Sequence, residues 1–254
     1  MSKVFAVANQ KGGVGKTTTV LGLAACFAFA GKKVLVVDFD PQGQATSGLG
    51  LEKDKISRTV YSCLFEITRP LALAQETKVK NLKIIPSNIE LAGAEVELVE
   101  VPQREERLRR LIEKIRQRFD FVLIDCPPSL GILTVNALVA ADSVIIPVQC
   151  EYYALEGLSQ LVNSINLIQA GLNPHLSIEG VVLTMHDVRI NLSAQVIDEV
   201  RNFFQEKVFK AVVPRNVRLA EAPSFGQPII QYDLRSAGAE AYLRLAKEIL
   251  KRYR

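Results

Sequence analysis

Between the apolar run Val4-Phe5-Ala6-Val7-Ala8 and an apolar stretch that begins Thr19-Val20-Leu21, the chain reads Lys11-Gly12-Gly13-Val14-Gly15-Lys16-Thr17-Thr18. A buried strand, a glycine-rich turn and a helix N-terminus in that order aim successive backbone N–H groups and the helix dipole at one point, which makes a cradle for an anion. Gly12, Gly13 and Gly15 keep side chains out of the cradle and free the backbone to take positive φ. A phosphate chain fits it. Lys16 would neutralise β- and γ-phosphates, and the Thr17 hydroxyl would join the shell of a Mg²⁺ ion, with Val14 and Thr18 completing the loop. The common pattern G-x-x-x-x-G-K-[ST] requires glycine where Gln10 stands; instead, a second lysine, Lys11, precedes the double glycine.

Two further apolar runs end in acids. Lys33-Val34-Leu35-Val36-Val37-Asp38 follows Gly31, which is placed to end the first helix, and leads to Asp40-Pro41-Gln42-Gly43. Phe119-Asp120-Phe121-Val122-Leu123-Ile124-Asp125 leads to Cys126-Pro127-Pro128-Ser129. All-apolar cores suit parallel strands covered on both faces. Ligands of open parallel sheets bind beyond the carboxyl ends of the strands, so these acids would face the same crevice as the glycine loop. Asp125 is the choice for the carboxylate that holds Mg²⁺ near Thr17, usually through a water. Taken singly, each acid could equally be turn chemistry.

Further strands are expected at Leu82–Ser87, Asp142–Val148, Ile178–Leu183 and Val208–Val213, and helices at Gln103–Arg118, Ile132–Ala141, Tyr153–Ala170 and Ala237–Arg254. Residues 44–80 should form short helices over one sheet edge. In the second of these helical stretches' predecessors, Gln103–Arg118, Leu108, Leu111, Ile112 and Ile115 fall on one face and six arginines alternate with glutamates on the rest, a pattern of a solvated outer face. The last helix is expected to dock through Tyr242, Ala246 and Ile249, with a basic side outward. The fold class that follows is α/β: one domain over 1–254, a mostly parallel twisted sheet with helices on both faces, for which 48% apolar residues supply the core. No stretch reads as a membrane span or signal peptide, which points to the cytoplasm. Cys26, Cys63, Cys126 and Cys150 form no C-x-x-C pair and are expected to be buried thiols; His175 and His186 complete no metal set. A net charge of +4 is compatible with nucleic acid or an anionic membrane and diagnostic of neither.

Three motifs together carry a resemblance. K-G-G-x-G-K-T-T at Lys11–Thr18, D-x-D-P-Q-G-Q-A-T from Asp38 and D-x-P-P-S from Asp125 resemble the deviant Walker A loop, second nucleotide motif and Walker B region of the ParA/MinD family of P-loop ATPases. The likeness runs from Val4 into the last helix and is greatest to the short, Soj-like ParA proteins. It implies a weak Mg²⁺-dependent ATPase in which Lys11 crosses a dimer interface to the nucleotide of the other subunit. Asp40 would orient or activate the attacking water, and Asp38 would support the loop or the metal shell. The stretches 184–193 and 214–224 resemble the partition branch. By that likeness Pro214 packs on the adenine and Asn216 hydrogen-bonds it, while Arg189 and Arg218 hold phosphates of double-stranded DNA without regard to sequence. Without the resemblance, each arginine reads as a surface or ion-pair residue. The implied partners are a second copy of the chain, nonspecific DNA and a ParB-like centromere-binding protein that stimulates hydrolysis. Larger plasmid relatives carry an additional DNA-binding segment ahead of the loop, for which the residues before Lys11 leave no room. Nucleoid association without stable membrane attachment is therefore expected. The alternative within the family is a MinD-like ATPase that cycles on a membrane.

Overall fold

The computed structural model describes residues 2–65, 70–151, 156–187 and 189–253. Its strands are β1 (Lys3–Val7), β2 (Val34–Asp38), β3 (Gln75–Glu76), β4 (Leu82–Ile85), β5 (Phe121–Asp125), β6 (Ser143–Gln149), β7 (Ser177–His186) and β8 (Val208–Pro214). They form one sheet in the order β3-β4-β2-β5-β1-β6-β7-β8, parallel except at the β3–β4 edge. The helices are α1 (Lys16–Phe29), α2 (Gln44–Gly48), α3 (Val60–Phe65), α4 (Leu91–Glu97), α5 (Arg107–Glu113), α6 (Ile132–Ala140), α7 (Glu156–Gly171), α8 (Asn191–Phe204), α9 (Val217–Glu221), α10 (Ile229–Tyr232) and α11 (Ala237–Arg252).

Because successive strand residues point to opposite faces, β1 supplies both cores. Val4 and Ala6 join the cluster built from α3 to α8, whereas Phe5 and Val7 join the one built with α1, α10 and α11. The expected α/β architecture, a mostly parallel sheet covered by helices on both faces, is what the chain adopts. Placing β1 in the middle, between β5 and β6, sets the glycine loop beside the ends of β2 and β5, where Asp38 and Asp125 are register partners.

The helix α1 is buried from Thr19 to Ala28, and α11 lies against it. Gly22 permits the close approach: a Cβ there would stand 2.6 Å from the Tyr242 ring. The Tyr242 hydroxyl meets Thr19 Oγ1 at 3.2 Å inside this contact. Tyr242→Phe is therefore expected to cost about 1 kcal/mol, measured as a lower midpoint in urea with an unchanged slope; an unchanged midpoint would remove this bond from the packing. Tyr242, Leu245, Ala246 and Ile249 of α11 are buried, so its apolar stripe is spent on the core.

Several elements differ from expectation. The Gln103–Arg118 stretch buries Leu108, Leu111, Ile112 and Ile115 as read, but it is α5 flanked by two short 3₁₀ turns rather than one helix. Arg116 in this stretch is no outer-face residue: its guanidinium reaches Asp142 Oδ2 at 2.7 Å and the Ser2 carbonyl at 2.8 Å. The same Asp142 oxygen accepts from Val4 N at 2.8 Å, which ties the starts of β1 and β6 together. The small edge strand β3 and the helices α4 and α8 have no counterpart in the sequence reading. β7 continues three residues past Leu183, to His186. All four cysteines are buried and free. Tyr153 and Arg254, expected at helix ends, lie outside the described residues. Among the described residues no helix is long and apolar enough to cross a membrane.

Candidate functional site

The loop after β1 is fixed by side chains as well as by its glycines. Asn9, buried, donates Nδ2–H to the Pro147 carbonyl at 2.7 Å and accepts from Lys11 N at 3.0 Å. Gly13 and Gly15 take φ of +74° and +86°, values that L side chains resist. Thr184, on β7, donates its hydroxyl to the Val14 carbonyl at 2.9 Å. Lys16 opens α1 and reaches back, its Nζ donating to the Lys11 carbonyl at 3.1 Å. Burial pulls the Lys16 ammonium below the ordinary lysine range, and the nearby Asp125 and Asp40 carboxylates oppose the shift. Among the described residues the ammonium of Lys11 has no hydrogen bond or ion pair.

Asp125, at the tip of β5, is fully buried, and neither of its carboxylate oxygens has a hydrogen-bond partner of ordinary geometry. Burial raises its pKa well above the carboxylate range and the neighbouring Asp38 adds to the rise; the Thr17 hydroxyl, closest in effect among the opposing groups, favours the charged form. An orphaned buried carboxylate beside a threonine hydroxyl and a lysine suits Mg²⁺. That ion takes one or two carboxylates, keeps waters and completes its shell with substrate phosphates. Consistently, among the described residues no group of three or more His, Cys, Asp or Glu could hold a metal by itself.

Asp38 is engaged differently. Its carboxylate accepts from Asp40 N at 3.3 Å, Thr46 N at 2.7 Å and Thr46 Oγ1 at 2.6 Å, and so anchors the turn from β2 into α2. Burial pushes its pKa up to about 6 against those hydrogen bonds. Asp40 accepts from Gln42 N at 2.9 Å and lines the crevice with Gly12, Gly13, Lys16 and Thr17.

The raised carboxyls give a signed prediction. A folded-state pKa above the unfolded value means that protonation stabilises the fold. That contribution is complete below about pH 4 and is lost as pH rises through about 6 for Asp38, with Asp125 moving in the same direction. Asp125→Asn removes one of these charges. Its nucleotide-free Tm is expected to exceed that of wild type near pH 8, by about 2–4 °C per kcal/mol relieved, with the gap narrowing near pH 5. The variant should also lose the Tm gain that ATP with Mg²⁺ gives wild type. A lower Tm at both pH values, with that gain intact, would remove Asp125 from the metal shell.

The crevice of about 380 Å³ around the loop continues into a second pocket of about 270 Å³, the two sharing Gly15, Thr18 and Met185. Pro214 and Asn216 line this second pocket, and Asn216 Oδ1 is buried there without a hydrogen-bond partner. Such an acceptor fits an exocyclic amine like that of adenine. Met185 sits between the pockets at a positive φ of +53°. Asn9, Thr184 and Met185 escaped the sequence reading. Their partners are 138 and 170 positions away for Asn9 and Thr184, so no local pattern announces them.

Arg189 and Arg218 lie outside these pockets, with side chains 83% and 54% exposed. Each is paired within the chain: Arg189 grips Asp187 through two nitrogens at 2.9 and 2.6 Å, and Arg218 meets Glu221 at 3.0 Å and Asp233 at 3.6 Å. The hydrogen bonds from Arg189 hold the Asp187 carboxyl below the usual carboxylate range. Arg215, 58% exposed and paired with Glu151 at 3.2 Å, is a further cation at this edge that the sequence reading passed over.

Comparison with known proteins follows the same outline. A family model described as an AAA domain matches residues 2–178. The chain is 60% identical over 249 residues to the sporulation initiation inhibitor protein Soj of Bacillus subtilis (strain 168), covering 98% of each. It is 53% identical to the chromosome partitioning protein ParA of Myxococcus xanthus, over 99% of this chain and 89% of that protein. Among solved structures, cobyrinic acid a,c-diamide synthase from Mycobacterium smegmatis, with bound ADP and magnesium, matches with a TM-score of 0.88 at 39% identity, covering 100% of this chain and 96% of that one.

Proposed function

The chain belongs to the ParA/MinD family of P-loop ATPases, in its Soj-like ParA branch, and from that premise we propose that it is a partition ATPase acting as one domain over its whole length. ATP lies along the joined pockets, with adenine at Pro214 and Asn216 and its phosphates in the loop from Lys11 to Thr18. Mg²⁺, held by Thr17 and, through water, by Asp125, neutralises charge on the phosphates. Lys16 stabilises the charge that builds on the transferred group, and Asp40 orients the attacking water. Asp38 holds the Asp40 turn in place through Thr46; its oxygens are already taken up by that work. The observation that carries the nucleotide reading is the buried, unpartnered Asp125 carboxylate beside the loop.

Lys11 serves the second copy. With ATP bound, two subunits join, each lending this ammonium to the other's phosphates, and the joined body presents Arg189 and Arg218 twice. Two weak basic patches on one rigid body bind DNA far better than one, because the second engagement is intramolecular. To grip phosphates, Arg189 and Arg218 exchange their intrachain carboxylates for the backbone of DNA, whose forked geometry with arginine is as good. A ParB-like protein stimulates hydrolysis, the dimer parts and DNA is released, a cycle suited to chromosome or plasmid segregation on the nucleoid. The MinD-like alternative needs an apolar face for lipid, and the stripe of α11 is already buried.

The test is ATP-dependent retention on nonspecific duplex DNA and on anionic liposomes, each at low and moderate salt. DNA retention is expected only with ATP, falling steeply with salt. Arg189→Glu should abolish it and leave turnover unchanged. Retention on liposomes alone, or undiminished DNA binding by Arg189→Glu, would contradict the reading.

A further inference from the structure

The chain carries a net charge of +4, yet residues 84–103 contain Glu90, Glu95, Glu97 and Glu100 and no lysine or arginine. In the fold this stretch is α4 followed by a 3₁₀ turn at Leu98–Glu100. Leu91, Ala94 and Leu98 are buried in the core. On the other side, at steps of seven and three residues, Ile89, Val96 and Val99 are 68%, 76% and 58% exposed. The segment thus has two aliphatic stripes and buries one.

The four glutamates surround the outer stripe and are exposed. Among the described residues none of them pairs with a lysine or arginine. Glu97 accepts the Tyr61 hydroxyl at 2.8 Å, and Arg104, adjacent in the chain, gives its guanidinium to Glu105 and the Val99 carbonyl. Four unneutralised carboxylates repel nucleic acid and anionic lipid alike. A wet aliphatic stripe and a self-repelling carboxylate rim are both relieved by one kind of ligand, an amphipathic segment with cations flanking its apolar side.

We propose that the outer face of α4 docks a Lys/Arg-rich amphipathic segment of a protein partner, its apolar side on Ile89, Val96 and Val99 and its cations between Glu90, Glu95 and Glu100. The face adjoins the nucleotide crevice. Glu95 Oε1 lies 2.9 Å from where a Cβ on Gly131 would stand, and Gly131 follows the Pro127-Pro128-Ser129 turn, whose Pro128 lines the crevice. An occupant therefore abuts the segment that leaves Asp125. The docking face stands on this chain's charges and exposures alone; its influence on hydrolysis rests also on the partition reading.

The experiment uses the full chain without nucleotide and a fluorescent synthetic Leu/Lys amphipathic helix, with its Leu/Glu counterpart as control. Wild type should bind the lysine peptide and not the glutamate one, and amide exchange should slow within residues 88–101. Glu90→Gln/Glu95→Gln/Glu100→Gln and Val96→Ser/Val99→Ser change only exposed positions and should keep the wild-type Tm. Each should weaken peptide binding roughly tenfold, the scale of one or two well-placed contacts. Unchanged affinity in both variants, or protection confined to other segments, overturns the proposal. So does a concentration-dependent dimer of wild type that both variants abolish, since a second copy would then cover the face. Because binding is read without nucleotide, its failure is distinct from a failure to hydrolyse ATP.

Discussion

Asp40→Ala is expected to bind ATP and dimerise as wild type does while its turnover falls about 10²–10⁴-fold, the range for removing a positioned acid–base group. The side chain is nearly buried, and Gln42 N fixes one oxygen at 2.9 Å. The other has no hydrogen-bond partner among the described residues and belongs to a residue on the crevice wall with Lys16 and Thr17. Alanine removes that oxygen while Gly43 N still donates to the Asp40 main-chain carbonyl at 2.9 Å, so the turn survives. Steady-state release of phosphate checks the prediction. Wild-type turnover in the variant would remove Asp40 from the chemistry.

Lys11→Ala should keep the loop and lose the dimer. Both hydrogen bonds made at Lys11, from its N–H to Asn9 and from Lys16 to its carbonyl, belong to the main chain and persist in alanine. Only the ammonium disappears. Losing one partner of a desolvated charge pair costs about 2–5 kcal/mol, and a symmetric dimer loses two. ATP-dependent DNA retention should then vanish, while affinity for a nonhydrolysable ATP analogue, measured on the monomer, changes little. If DNA retention persists in Lys11→Ala, the lysine does not act across an interface.

The nucleotide loop was legible because its chemistry is local. Glycines that permit positive φ, a lysine and a threonine must follow one another in sequence to surround a phosphate, and Gly13 and Gly15 do take that conformation. Asp38 and Asp125 were legible because each ends an all-apolar run, and register brings them together. What stayed hidden depends on distant partners. Asn9 and Thr184 shape the loop through main-chain carbonyls on other strands, and Arg116 hides within a charged helical pattern while tying β1 to β6. The edge strand β3 is two residues long, too short for alternation to show, and α4 was masked by its second exposed stripe. Arg189 and Arg218 came from resemblance alone. Their exposure suits DNA, and their intrachain carboxylates show what a bound phosphate must displace.

The claim on which the rest depends is that bound ATP joins two copies through Lys11, and sedimentation equilibrium in the Asp40→Ala background tests it with hydrolysis blocked. With saturating ATP and Mg²⁺ the mass should be twice 28.0 kDa, and 28.0 kDa with ADP or when Lys11→Ala is added. A monomer with ATP, or a dimer that survives the loss of Lys11, would contradict it.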